Sequence, residues 1–400
     1  MKLKPFSWSH GPALIVLATL LWPASRHYFS QNQIYHSFYL ILLSSLLAYL
    51  LIPVSMVIAT ITGLLDHPNE SRKHHKKPVP LTGGIAIFGA FLITMLINFH
   101  FSIEMKGILI AGSLVFIVGL IDDKWALSAK IRLLAQFIAV AILIYSGVRI
   151  SFIPNWLGGS VAEVIITALW VVGITNSMNF IDGMDGLASG TSIIYAIFFA
   201  VIALILKQYY MLFLAAAIAG SCIGFFPYNF RLKGSAKIYL GDSGSTFLGF
   251  TFASFALLGN WGPSFLDLTI PIIIMSVLIF DMSLTTIVRV FTGQVKTFGQ
   301  WLHFTGRDHF HHRINLLGIG PKASALVFFS VSICFGLLAI AVLFSDFINT
   351  LLILGHTVLM FIIMGIILVL RTRNHPPINK PIEHNAALTS NQNIIVNNPV

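Results

Sequence analysis

Apolar runs of about 18–25 residues alternate with short polar segments along almost the whole chain, and a run of that length is what an α-helix needs to cross a bilayer. Reading the runs from end to end predicts helices near 37–63, 82–101, 105–121, 130–147, 159–175, 187–206, 210–228, 242–260, 268–290, 322–344 and 350–370. The expected fold is therefore all-α, a polytopic integral membrane protein with about eleven spans. Gly11 to Trp22 is apolar but short for a span and stops at Pro23. With Lys2 and Lys4 ahead of it, this stretch reads as an extra or partly inserted helix, which would make a hairpin with the segment beginning near Phe38. A cleaved signal peptide is the competing reading. The organisation expected is an N-terminal extension over 1–36, a transmembrane domain over 37–373 and a disordered tail over 374–400, where Asn, Pro and Thr replace large apolar side chains.

Composition agrees, with 56% hydrophobic and 10% charged residues. A net charge of +10 could suggest nucleic acid, but the basic residues follow membrane topology instead of forming one basic domain. Arg72, Lys73, Lys76, Lys77, Lys124, Lys130, Arg132, Arg231, Lys237, Arg289, Arg307, Arg313 and Lys322 all fall on one side of the predicted helices. Arg26, Lys106, Arg149 and Lys207 fall on the other. The positive-inside rule makes the first side cytosolic. Cys222 and Cys334 lie inside apolar runs and read as packing residues.

Acids are scarce, 14 among 400 residues, yet Asp122-Asp123, Asp182, Asp185 and Asp242 stand at the ends of apolar segments on the predicted cytosolic side. Gathered carboxylates there suggest a cation site. Neighbouring helix positions point about 100° apart, so Asp122 and Asp123 should have different jobs, one at a metal and the other accepting a proton or held by Lys124 or Lys130. A helix-terminating acid pair is the bland alternative. In 176–187, Asn176, Asn179, Asp182 and Asp185 recur every third residue, a stripe that keeps to one face only if the segment tightens or breaks, as Gly183 and Gly186 allow. Their oxygens are hard ligands suited to Mg²⁺. Gly241-Asp242-Ser243-Gly244-Ser245 opens a helix, and capping by Asp242 or Ser243 is its plain explanation. The basic run Arg72–Lys77 with Gly83-Gly84 reads either as a membrane anchor or as a phosphate loop. In the last long loop, Arg307, His309, His311, His312 and Arg313 suit a diphosphate better than zinc, because cysteine ligands are missing. Asp281 sits deep in an apolar helix with no partner readable from the sequence.

These motifs, in this order, resemble the polyprenyl-phosphate N-acetylhexosamine-1-phosphate transferases, which include the peptidoglycan precursor translocase and the initiators of O-antigen and teichoic-acid synthesis. The resemblance runs from Asp66-x-Pro68, Arg72-Lys73-x-His75 and Pro80-x-x-Gly83-Gly84 through Asp122-Asp123, Asn176-x-x-Asn179-x-x-Asp182-Gly183-x-Asp185-Gly186 and Gly241-Asp242-x-Gly244-Ser245 to His309-x-His311-His312. It implies Mg²⁺-dependent transfer (Mn²⁺ as a substitute) of a sugar 1-phosphate from a UDP-N-acetylhexosamine to undecaprenyl phosphate, with UMP released. The setting implied is a bacterial inner membrane with the active site facing the cytosol, at the start of cell-envelope glycan synthesis, and a homodimer is compatible with it.

By the same resemblance Asp242 is the metal ligand, Asp122 the base on the lipid phosphate and Asp123 its support. Asp182, Asp185, Asn176 and Asn179 are catalytic or nucleotide-site residues, while Arg72, Lys73, His75, Arg307, His309, His311 and His312 bind substrate. One departure is the order Gly306-Arg307-Asp308 before the first His, where several relatives with the His-x-His-His arrangement have an acid and an Arg, which leaves the sugar selectivity associated with this loop open. The loop also lacks the Pro-x-His-His-His form of the muramoyl-pentapeptide enzymes, which favours a smaller donor such as UDP-GlcNAc. An ion-coupled transporter is the rival class, but its acids would sit near the bilayer midplane, where only Asp281 is expected.

Overall fold

The computed structural model describes residues 10–67, 78–99, 101–261, 268–297, 299–300, 306 and 308–372. Arg72, Lys73, His75, Arg307 and the tail lie outside the described residues. Each long apolar run forms helix: α1 (Gly11–Leu21), α2 (Pro23–Ser30), α3 (Gln33–Thr62), α4 (Gly83–Asn98), α5 (Ile103–Trp125), α6 (Ala129–Tyr145), α7 (Gly159–Ile181), α8 (Leu187–Ile205), α9 (Tyr209–Asn229) and α10 (Gly241–Leu258). Then follow α11 (Thr269–Ile274), α12 (Ser276–Phe291), α13 (Phe310–Leu316), α14 (Pro321–Val342) and α15 (Phe347–Thr372). Among the described residues seven helices, α3, α5, α7, α8, α9, α14 and α15, are long and apolar enough to cross a membrane. The protein is an all-α, multi-pass membrane protein.

Pro23 separates α1 from α2, and Trp22 before it is extended, as sterics next to proline require. At 11 residues, α1 reaches only about 16 Å along its axis, half a hydrocarbon core. It folds against α3, where the Tyr39 hydroxyl donates to Leu20 O at 3.4 Å.

The helix at the centre is α10, buried along almost its whole length and packed on α4, α5 and α7. Small residues permit this closeness, as is usual between membrane helices. A Cβ added to Gly119 would lie 2.6 Å from Ser243 Cα, and one on Gly84 would lie 2.5 Å from Gly244 N. The backbone before α10 also closes on α4: Tyr239 N–H donates to Pro80 O at 2.8 Å, Gly83 N–H to Tyr239 O at 2.9 Å and Gly84 N–H to Leu240 O at 2.8 Å. These bonds satisfy donors that the first turn of α4 would otherwise leave open. The Gly83-Gly84 pair expected to admit a phosphate instead admits α10. A short antiparallel ladder, β1 (Leu65–Asp66) on β2 (Val79–Pro80), leads into it.

Several boundaries differ from the hydropathy reading, α3 beginning at Gln33 and α5 running on to Trp125. Helix α7 continues past 175 to Ile181, and the break falls at 182–186, where Gly186 adopts φ +74°. The single helix expected over 268–290 is interrupted at Met275, giving α11 and α12.

Candidate active site

Helix α10 begins without a capping side chain of its own. The cap comes from α5: Asp123 Oδ1 accepts from Asp242 N–H at 2.7 Å and Oδ2 from Ser243 N–H at 3.1 Å. A carboxylate from a neighbouring helix thus meets the positive end of α10, and the Asp242 side chain is left for other work. Asn179, on the last turns of α7, donates to Asp242 Oδ1 at 3.0 Å and to Ser245 Oγ at 2.9 Å.

Asp122 points elsewhere. Its Oδ1 accepts from Leu127 N–H at 2.6 Å, and its Oδ2 is 2.9 Å from Arg132 Nη1. The same guanidinium nitrogen lies 3.6 Å from Asp242 Oδ2. Arg132, in the first turns of α6, therefore bridges the two acids, and neither Lys124 nor Lys130 takes the role expected of them. Lys124 instead lies over the Trp125 ring. One turn after Arg132, Gln136 exchanges amide hydrogen bonds with Asn176 at 2.8 and 3.3 Å, which sets Asn176 behind the site.

A cavity of about 940 Å³ opens between these helix ends, lined by Asp66, Asp123, Asp182, Asp185, Tyr239, Asp242, His312, Asn315 and Lys322 among others. Asp182 follows the last turn of α7, is part-buried and lines this cavity. Burial pushes its carboxyl well above the usual range, reinforced by the charges of Asp242, Asp123 and Asp185. Asp185 accepts from Ala236 N–H at 2.7 Å, tying the 230–239 loop to the turn after α7. Lys322 holds the same loop through Leu232 O at 2.8 Å and Gly234 O at 3.0 Å.

The histidine segment closes one side. Asp281, the deep acid of α12, has its partner here: His309 Nδ1 lies 2.8 Å from Asp281 Oδ2, and Phe310 N–H donates to the other oxygen. His309 is thereby buried away from the cavity, with its ring against Phe180. His311 and His312 stand over the turn after α7, since a Cβ on Gly183 would meet His311 Nε2 at 3.2 Å and His312 Nε2 at 3.7 Å. Burial, then the neighbouring His312, holds His311 well below the usual imidazole range.

Residues 105–260 match glycosyl transferase family 4. A probable undecaprenyl-phosphate N-acetylglucosaminyl 1-phosphate transferase of Bacillus subtilis is 34% identical over 309 residues, 74% of this chain and 82% of that protein. The chain belongs to the polyprenyl-phosphate N-acetylhexosamine-1-phosphate transferase family. A decaprenyl-phosphate N-acetylglucosaminephosphotransferase of Mycolicibacterium smegmatis is 28% identical over 79% of this chain and 84% of that protein. A phospho-N-acetylmuramoyl-pentapeptide-transferase of Caldicellulosiruptor bescii is 28% identical over 70% and 88%.

Of the residues that the motifs of this transferase family single out, Asp123, Asp182, Asp185, Asp242 and His312 share the cavity, and Asn179 reaches it through Asp242. Asn176, Asp122, His309 and His311 stand a layer behind. Arg132 escapes a motif reading because it looks like one more positive-inside charge. Its signal is Gln136 four residues on, a second polar group on the same face of an otherwise apolar helix. Tyr239, Asn315 and Lys322 carry no such signal, since only the fold brings them to the cavity.

Proposed function

We propose that this protein transfers N-acetylglucosamine 1-phosphate from UDP-GlcNAc to a polyprenyl phosphate, undecaprenyl phosphate in a bacterial inner membrane, giving polyprenyl-diphosphate-GlcNAc and UMP. The observation that carries this reading is the meeting of Asp123, Asp182, Asp185 and Asp242 on one cavity at the ends of membrane-spanning helices. A soluble sugar nucleotide can enter there from the cytosol and a lipid phosphate from the leaflet. The names of the Bacillus and Mycolicibacterium relatives support the donor and acceptor classes.

Both reactants are anions, so the protein's main tasks are charge neutralisation and in-line positioning. A lipid-phosphate oxygen attacks the β-phosphorus of UDP-GlcNAc, the one bonded to the sugar, and forms the new P–O bond. The bond from that phosphorus to the bridging oxygen breaks, and the electron pair leaves on UMP. Among the described residues no three acid, His or Cys side chains form a closed metal cage. Mg²⁺ needs none, because it is held through one or two carboxylates with the remaining positions filled by water and substrate phosphate. The clustered acids around Asp182 fit it, and Asp242, with Asp182 facing the same cavity, would hold it. Bound there, Mg²⁺ would supply positive charge to offset the repulsion of the two phosphates. Arg132, anchored by Asp122, adds a fixed positive charge beside Asp242. A phosphate monoester loses its second proton near pH 6, so the attacking group is already ionised, and Asp122 serves better as the anchor of Arg132 than as a base.

The test is UMP release by purified protein with undecaprenyl phosphate, Mg²⁺ and a panel of UDP-N-acetylhexosamines. Release with UDP-GlcNAc is expected. Release with UDP-MurNAc-pentapeptide alone would move the assignment to the activity named for the Caldicellulosiruptor relative, and no release with any donor would overturn the transferase reading.

A further inference from the structure

Helix α13, which carries His311 and His312, is only seven residues long, and both ring nitrogens of His311 lack a hydrogen-bond partner. Where that imidazole stands depends on where the α13 backbone is held. Part of the hold is α12, through Asp281 and through Arg289, whose Nε and Nη2 each meet the Asp308 carboxylate at 2.7 Å. Helix α14 packs against α13, with the Phe328 ring on Phe310, and α15 adds a polar tie. Arg313 donates from Nε to Asp308 O at 2.8 Å and from Nη1 to Thr372 Oγ1 at 3.0 Å. The Thr372 hydroxyl passes its own hydrogen to Leu368 O at 2.7 Å, so it is oriented to accept from Arg313. Arg289, Asp308, Arg313 and Thr372 are 4%, 2%, 5% and 4% exposed.

A buried ionic network of this kind adds little net stability over well-packed apolar side chains, because desolvation offsets the attraction. Its distinctive effect is directional, since each bond has one geometry. Most of α15 faces outward. Its buried residues, Thr350, Thr357, Phe361, Gly365, Leu368 and Thr372, form one stripe: the Phe361 ring stacks on Phe280 of α12 and Phe335 of α14, and Thr372 at its end meets Arg313.

We propose that Thr372 is a positioning residue for the transfer, making α15 a strut that sets, through Arg313, where His311 and His312 stand over the Asp182-Gly183 turn. The inference rests on the transferase reading and extends the working parts of the site beyond every motif, to the last turn of the last described helix.

The test uses full-length protein in lipid nanodiscs. Thr372→Val keeps the shape and removes the hydroxyl, and it should raise KM for UDP-GlcNAc about fivefold to tenfold while kcat stays within about twofold. Thr372→Ser should restore the wild-type KM. A second arm does not need turnover: with Cys334 changed to Ser, a maleimide should label Asn315→Cys several-fold faster when Thr372 is Val than when it is Thr or Ser. An unchanged KM with unchanged labelling would overturn the strut, and so would Ser being as impaired as Val. If wild-type protein releases no UMP with any donor, the transferase reading fails and the labelling arm alone decides whether Thr372 positions α13.

Discussion

Asp122 and Asp123 are adjacent in sequence and bind different things: one holds a guanidinium, the other caps a neighbouring helix. Removing the cap with Asp123→Ala should cost about 1–2 kcal/mol of stability, seen as a lower midpoint of thermal unfolding in detergent, and should abolish UMP release because Asp242 loses its backbone anchor. Arg132→Met should lower kcat about a hundredfold and leave KM for UDP-GlcNAc nearly unchanged, with the lysine variant intermediate. Were Arg132→Met fully active, the guanidinium would have no part in neutralising the reacting phosphates. The sequence reveals the acids because a carboxylate ending an apolar run is conspicuous. It hides their partners: Asn179 and the α10 N–H groups come from helices distant in the chain from the acids they meet, and Arg132, though only ten residues after Asp122, looks like any other basic residue at a helix start.

At the scale of helices, hydropathy locates the apolar runs well and misplaces ends where polar residues are satisfied inside the protein. Helix α7 outlasts its apolar stretch because Asn176 faces Gln136 and Asn179 faces Asp242 instead of water. The interruption at Met275 is marked in the sequence only by Pro271 one turn earlier and Ser276 directly after it, too small a change in polarity for hydropathy to register. Close approach is likewise invisible until partners are known, and it yields a matched pair of substitutions. Gly119→Ala would drive a methyl to 2.6 Å from the α10 backbone, whereas Gly112→Ala would meet only Phe247 and Phe250 side chains at 3.6 Å. The first should destabilise the protein by about 1–3 kcal/mol and abolish activity by spreading α5 from α10. The second should be tolerated, as unfolding midpoint and UMP release will both report.

For the molecule as a whole, the cavity, the loops around it and the bulk of the basic residues are expected in the cytosol. With Cys334 replaced by Ser, a membrane-impermeant maleimide applied to intact spheroplasts should label Arg149→Cys and spare Lys233→Cys until the membrane is opened. The reverse pattern would invert the proposed orientation. Chelation with EDTA should stop turnover without unfolding the helices, since direct hydrogen bonds join α4, α5 and α7 to α10, and added Mg²⁺ should restore it.

Because the start of α10 is capped from α5 and clasped by α4, no stretch of the chain shorter than residues 83–245 contains every group that fixes Asp242. During biogenesis, a nascent chain halted before α10 emerges would already display the acid pair, yet it would have no ordered place for a nucleotide. The acid cluster is completed only when α10 docks among its predecessors, and His312, Asn315 and Lys322 join the cavity later still.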